Sequence, residues 1–274
     1  MKKQEKDYLC SLVSYYSLMK RSHNYALIGK SLSHSFSKNY FEEKFRILKY
    51  PDYSYRLIEL PSLDGLLNTV GSCNLRGFNV TIPYKRDILP FLNRLDTVAK
   101  AVGAVNTVLV ERDKDNGSMS LTGYNTDAPA LRDILLPLLR PCHRQALILG
   151  TGGAARAAAW ALHQLGIPYL FVSRNPAISD LPADMVTNYD DACRLANDSM
   201  VIINATPVGM SPLTDLSPWH GPISHRNLCI DLIYNPSPTR FLSDAINAGA
   251  TCSDGLSMLH RQADLAFDIW ENTY

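Results

Sequence analysis

The sequence predicts an α/β protein of two domains, a first α/β unit followed by a Rossmann-like unit on a parallel sheet, with a cleft between them. Three observations predict it. Apolar runs of strand length alternate with helix-length patterned segments along the chain. The later strands, such as 145–149 and 200–204, are almost continuously apolar, as strands covered on both faces of a parallel sheet are. A chain of 274 residues with 46% hydrophobic content is also long for a single core.

Tyr25-Ala26-Leu27-Ile28 is a short apolar run ended by Gly29, a buried first strand. After polar residues 30–37, a helical pattern covers 38–49, and 53–60 alternates as a second strand. Pro61-Ser62-Leu63-Asp64 is expected to cap a helix running to about Val70. Residues 77–81 make a third strand closed by Pro83, and 105–111 with 121–124 read as a hairpin around Lys114-Asp115-Asn116-Gly117. A helix over 127–139, ended by Pro141, opens the second unit ahead of the strand 145–149. Residues 154–165 are rich in alanine and poor in β-branched side chains, which predicts a helix with Gly166 as its C-cap. Residues 169–173, 200–204 and 228–233 supply further strands. The final helix, 255–270, places Leu256, Leu259, Ala263, Ala266, Phe267 and Trp270 on one packed face.

A net charge of +1 gives no field for nucleic acid, so any anion site must be local. Six scattered cysteines without a C-x-x-C are expected to be reduced, mostly buried thiols of a cytoplasmic protein, and no metal site is expected. Residues 1–22 loosely imitate a secretory signal. Glu5, Asp7 and the Lys20-Arg21 pair argue against one, and the apolar run is too short to span a bilayer. They are treated as an extension, with Met19 as a candidate start.

Gly150-Thr151-Gly152-Gly153-Ala154 follows a strand and opens a helix, fitting a dinucleotide-binding turn. The first glycine allows the tight turn, the second lets a pyrophosphate reach the backbone, and the phosphates sit on the helix N-terminus. At the end of the next strand stands Ser173-Arg174-Asn175, with a guanidinium where NAD would call for a carboxylate. Arginine suits a 2′-phosphate, so NADP is preferred, although Arg174 could also be a solvated strand-end charge. Upstream, the segments 79–85, 104–107 and 125–127 hold one lysine, Lys85, and one acid, Asp127, among hydrogen-bonding side chains. This composition suggests hydride transfer on a small hydroxylated molecule.

Together these motifs resemble the shikimate dehydrogenase family, in order and over 25–270. They are Ser33-His34-Ser35-Phe36-Ser37, Asn79 to Lys85, Gly103 to Thr107, Asn125 to Asp127, Gly150 to Ala154, Asn204 to Met210, Asp231 to Pro236 and Gly255 to Gln262. The resemblance implies NADP-dependent interconversion of 3-dehydroshikimate and shikimate on the route to chorismate and the aromatic amino acids. It implies a substrate domain over 23–126 completed by 255–274, an NADP domain over 127–254, closure that excludes water, and a monomer or homodimer. Lys85 and Asp127 would be the catalytic pair. Ser35 and Ser37 would bind the substrate carboxylate, and Thr81, Asn106 and Gln262 the ring hydroxyls. Tyr234 would lie near the carboxylate and nicotinamide, and is as readily a packing tyrosine. Asn204, Thr206, Met210 and Gly255 would face the cofactor, while His34 reads as structural. Ser31 and Lys38 stand where the family usually has prolines, which loosens the serine loop. The alternatives are a quinate/shikimate dehydrogenase using NAD(P) and a non-catalytic NADP- or shikimate-binding regulator.

Overall fold

A computed structural model describes residues 22–33, 35–113, 115–179 and 181–271. Most of the N-terminal extension, Cys10 and His34 lie outside the described residues. Contacts divide the chain into two compact units. One comprises residues up to Arg94 with Thr107–Gly123, the other Leu95–Asn106 with the chain from Tyr124 to Asn272.

The first unit holds a six-stranded sheet. Its elements are β1 (His23–Gly29), α1 (Ser37–Leu48), β2 (Tyr53–Glu59), α2 (Leu66–Ser72), β3 (Leu75–Val80), the one-turn α3 (Tyr84–Asp87), β4 (Arg94–Leu95), β5 (Thr107–Arg112) and β6 (Met119–Tyr124). The strand order is β2-β1-β3-β5-β6-β4. β1 runs parallel to β2 and β3, and β5 antiparallel to β3. The carboxyl ends of β1 and β3 and the start of β5 therefore share one edge. Phe41 and Phe45 of α1 are buried against this sheet, Phe41 stacking on Tyr55 at 4.3 Å. The cap expected over 61–64 is instead a local turn: the Ser62 hydroxyl donates to the Asp64 carboxylate at 2.7 Å, and α2 starts at Leu66.

The second unit comprises α4 (Thr97–Val102), α5 (Asp127–Leu135), β7 (Ala146–Leu149), α6 (Gly153–Gln164), β8 (Tyr169–Val172), β9 (Val186–Thr187), α7 (Tyr189–Leu195), β10 (Val201–Asn204), β11 (Leu228–Asp231), α8 (Arg240–Asn247), β12 (Thr251–Ser253) and α9 (Gly255–Glu271). Its sheet order is β12-β11-β10-β7-β8-β9, and every neighbouring pair is parallel. The chain winds outward from β7 in one direction and then, from β10, in the other, which is the doubly wound arrangement. Alternate strand residues feed two cores. Ile148, Ile203 and Ile230 pack with the alanines of α6, while Leu147, Leu149 and Ile202 pack with Trp219 and Phe241. Gly166, at φ +68, ends α6 as expected, with Ile167 N–H donating to the Leu162 carbonyl at 3.0 Å.

Three expectations are corrected. The helix expected over 127–139 stops at Leu135. Leu256 is 37% exposed and not part of the packed face of α9, whose buried residues are Gly255, Ala263, Ala266, Phe267 and Trp270. Of the described cysteines only Cys229 is buried; burial, with a contribution from Cys252, pushes its thiol up to about 12. The units also part differently from the boundary expected at 126. α9 lies with α5 in the second unit, where the Asp133 carboxylate takes guanidinium bonds from Arg132 and from Arg261 at 2.9 Å. Burial opposes that carboxylate's charge, but the two arginines hold it below the usual range.

The α4 helix offers a simple stability test. Asp96 caps it, accepting from Ala99 N–H at 2.8 Å and Val98 N–H at 3.1 Å. Asp96→Ala is expected to lower the unfolding free energy by about 1 kcal/mol in chemical denaturation.

Candidate active site

In the first unit, one sheet edge gathers Ser35, Ser37, Thr81 and Lys85. Gly29 ends β1 so close to the β3 loop that a Cβ there would lie 2.7 Å from Thr81 Cγ2 and 2.6 Å from Leu32 Cδ2. Thr81 N–H donates to the Ile28 carbonyl at 3.0 Å, and Leu32 N–H to the Glu59 carboxylate at 2.6 Å. These bonds pin the start of the serine loop. Ser35 Oγ accepts from Ser37 N–H at 3.3 Å, and the Ser37 hydroxyl hydrogen-bonds the phenol of Tyr55. Tyr55, fully buried, donates to Asn79 Oδ1 at 2.7 Å, and Asn79 Nδ2 donates to the Thr107 hydroxyl at 3.0 Å. Burial raises the Tyr55 phenol well above its ordinary range, against the Ser37 bond, so it stays protonated and donates. A polar chain from Ser37 through Tyr55 and Asn79 to Thr107 thus ties the serine loop to β2, β3 and β5. Lys85 sits half-exposed on α3, which Tyr84 anchors through its hydroxyl on the Leu60 carbonyl at 2.6 Å.

In the second unit, Asn106, Thr126 and Gln262 form a chain. Asn106 Nδ2 donates to the Thr126 hydroxyl at 2.9 Å, and Asn106 Oδ1 accepts from Thr126 N–H at 2.7 Å. The Thr126 hydroxyl reaches Gln262 Oε1 at 3.5 Å, the limit of a hydrogen bond. Asn106 is 3% exposed, and its amide braces the Thr126 backbone and hydroxyl. Asn125 caps α5, accepting from Ala128 N–H at 3.0 Å while donating to the Ala104 carbonyl at 2.9 Å. That holds Asp127 in the first turn of α5, where the helix dipole favours a carboxylate.

A second constellation lies where the winding of the parallel sheet reverses, between β7 and β10. Gly150 takes φ +104, and a Cβ on it would lie 3.1 Å from Thr206 Cγ2. Gly152 precedes α6 in extended conformation without a side-chain cap. A Cβ on Gly152 or Gly153 would meet no protein atom within 4 Å. Uncapped N–H groups at a glycine-lined helix start, beside a switch point, fit a dinucleotide pyrophosphate. Thr151 is partly buried, and Ala154 is exposed on the first turn of α6. After β8, Ser173 Oγ accepts from Asn175 N–H at 3.2 Å, and Arg174 is exposed. Met210 is exposed and Tyr234 half-buried, its phenol raised by burial.

Two residues expected to touch the cofactor are otherwise engaged. Asn204 is 0% exposed. Its Nδ2 donates to Asp231 and to the Val208 carbonyl, and its Oδ1 accepts from Thr206 N–H and hydroxyl. Gly255 is buried, and its N–H donates to the Ile233 carbonyl at 3.0 Å; it is a packing glycine that joins α9 to the loop after β11. Sequence reasoning passed over Tyr55, Asn79, Thr126, Asp231 and Thr239 as functional supports. The sole signal for them was that most stand inside or beside motifs already singled out.

Residues 27–108 match the family model described as the shikimate dehydrogenase substrate binding domain. A shikimate dehydrogenase (NADP(+)) of Clostridium beijerinckii is 37% identical over 258 residues, covering 90% of this chain and 91% of that protein. One from Carboxydothermus hydrogenoformans is 35% identical over 262 residues, covering 89% and 90%. The crystal structure of shikimate 5-dehydrogenase from Thermus thermophilus, in complex with NADP(H) and shikimate, superposes with a TM-score of 0.79 at 32% identity, covering 91% and 94%. A chain whose motifs, two units and near-complete length align with these proteins belongs to the shikimate dehydrogenase family.

Proposed function

We propose that this protein catalyses the reversible NADPH-dependent reduction of 3-dehydroshikimate to shikimate, on the route to chorismate and the aromatic amino acids. The observation that carries this reading is the match of nearly the whole chain to NADP-dependent shikimate dehydrogenases. The bound nicotinamide supplies the hydride. The chain's own residues bind the substrate and move the proton. The Ser35 hydroxyl donates to the substrate carboxylate, and Ser37 exchanges its bond to the Tyr55 phenol for that carboxylate when substrate binds. Thr81 and Gln262 orient the ring hydroxyls, with Asn106 fixing Thr126 beside Gln262. Lys85, with Asp127, gives a proton to the oxygen of the ketone as it becomes an alkoxide, and takes it back in the oxidation direction. Gly150 to Ala154 hold the pyrophosphate, and Ser173 and Arg174 the adenosine end. Thr206, Met210 and Tyr234 line the crevice beside the glycine turn.

The deciding experiment follows reduced-cofactor absorbance with shikimate or quinate against NADP or NAD. Shikimate with NADP is expected to be the best pair. Preference for quinate with NAD would replace this reading with the quinate dehydrogenase alternative, and silence with every pair would leave a binding protein. Arg174→Ala is expected to raise the KM for NADP by roughly 10-fold or more while leaving that for NAD unchanged, because only the former loses a charge-assisted bond to a phosphate. An unchanged KM for NADP would reduce Arg174 to a solvated charge.

A further inference from the structure

We propose that Asp231 is a positioning residue for the nucleotide crevice, its buried carboxylate fixing the wall of residues 205–210 against the Gly150 turn. The inference rests on the function proposed above, since it takes that turn as the place where NADP(H) binds. Asp231 ends β11 and is 0% exposed. Three donors converge on it. Asn204 Nδ2 and Ile233 N–H each donate to Oδ1 at 3.0 Å, and the Thr239 hydroxyl donates to Oδ2 at 2.6 Å. Each donor leads to a different segment. Asn204 carries the bond on to Thr206, whose N–H and hydroxyl donate to its Oδ1 at 2.9 and 2.7 Å. Ile233 and Thr239 bracket the loop holding Tyr234, and Thr239 also accepts from Leu242 N–H at 3.3 Å, capping α8.

Among the described residues no lysine, arginine or histidine forms a salt bridge with Asp231. Desolvating a carboxylate without a cation is costly, and here three converging donors offset that cost. What the carboxylate uniquely supplies is acceptor directions for three strands of chain at once. The wall it holds is close to the glycine turn: a Cβ on Gly150 would sit 3.1 Å from Thr206 Cγ2 and 3.2 Å from the Ala205 carbonyl oxygen. The same wall rests on the second loop, since a Cβ on Gly209 would meet Ile233 at 3.3 Å and Thr239 at 3.4 Å. A shift of a few tenths of an ångström at Asp231 therefore reaches the surface over the turn.

The test titrates NADPH against the ligand-free full-length parent, Asp231→Asn, Thr239→Val and Thr239→Ser by cofactor fluorescence, with thermal midpoints measured alongside. Asp231→Asn and Thr239→Val are expected to weaken NADPH binding by roughly 10-fold, the loss of one hydrogen bond to a charged group, and Thr239→Ser to restore it. In turnover the KM for NADP rises, while the KM for shikimate at saturating cofactor does not. Parent-like NADPH affinity in Asp231→Asn and Thr239→Val, whatever their stability, would overturn the inference and leave the cluster a purely structural one. A parent protein that does not bind NADPH would overturn the proposed function, and this inference with it, before any variant is compared.

Discussion

Lys85→Ala is expected to turn over shikimate roughly 100- to 10,000-fold more slowly than the parent, the usual contribution of a positioned general acid or base. NADPH affinity and thermal midpoint should not move. The lysine side chain is half-exposed on a one-turn helix. That helix is held by Tyr84, whose N–H donates to the Thr81 carbonyl at 2.9 Å and whose hydroxyl donates to the Leu60 carbonyl, and by buried Ile88. None of these contacts uses the Lys85 ammonium, so the helix keeps these supports when that group is removed. Lys85→Arg keeps the charge but places the proton on a group too basic to release it, and should be similarly slow. Steady-state turnover with direct NADPH titration separates the two effects, and an alanine variant with parental turnover would remove Lys85 from its role.

Gly255→Ala is expected to cost about 2–3 kcal/mol of stability, the range for overpacking a rigid site. The new methyl would overlap the Leu232 carbonyl, 2.7 Å from its carbon and 3.0 Å from the carbonyl carbon of Ile233. Both neighbours are backbone at the end of the parallel sheet and cannot rotate aside as a side chain would. The Gly255 N–H bond to the Ile233 carbonyl ties the same two segments, so moving α9 away breaks it. Leu256→Ala, one residue on and 37% exposed, is the control, with an expected cost near the surface range of about 0.5 kcal/mol. Chemical denaturation of the two variants reads the contrast. A parental midpoint for Gly255→Ala would mean that the loop after β11 yields easily.

The long elements and the nucleotide turn were legible because their causes are local. The alanine run of α6 is helical by propensity, Gly166 ends it by taking a left-handed φ, and the apolar runs of β7, β10 and β11 are buried along their whole length. Short elements escaped notice. α3, α4, α7, α8 and the two- and three-residue strands β4, β9 and β12 hold too few residues for a period to register. The cap expected over 61–64 failed because the Ser62 hydroxyl found the Asp64 carboxylate before it could serve a helix N–H.

By itself, then, the sequence determined the order of the long strands and helices and the strand–glycine turn–helix at Gly150, since each follows from residue chemistry and near neighbours. Only the tertiary structure decided which polar groups remain open to a ligand and which are used up in bracing it. Asn204 and Asn106 carry the same amide, and both commit it to protein partners 2 to 27 residues away. At Gly255 the fold adds a packing demand that the motif did not reveal, since a Cβ there would meet the Leu232 and Ile233 backbone. The reason is that a hydrogen-bonding group's role is set by which partner reaches it when water is excluded. That partner, as with Thr126 and Gln262, 136 residues apart, is chosen by the fold.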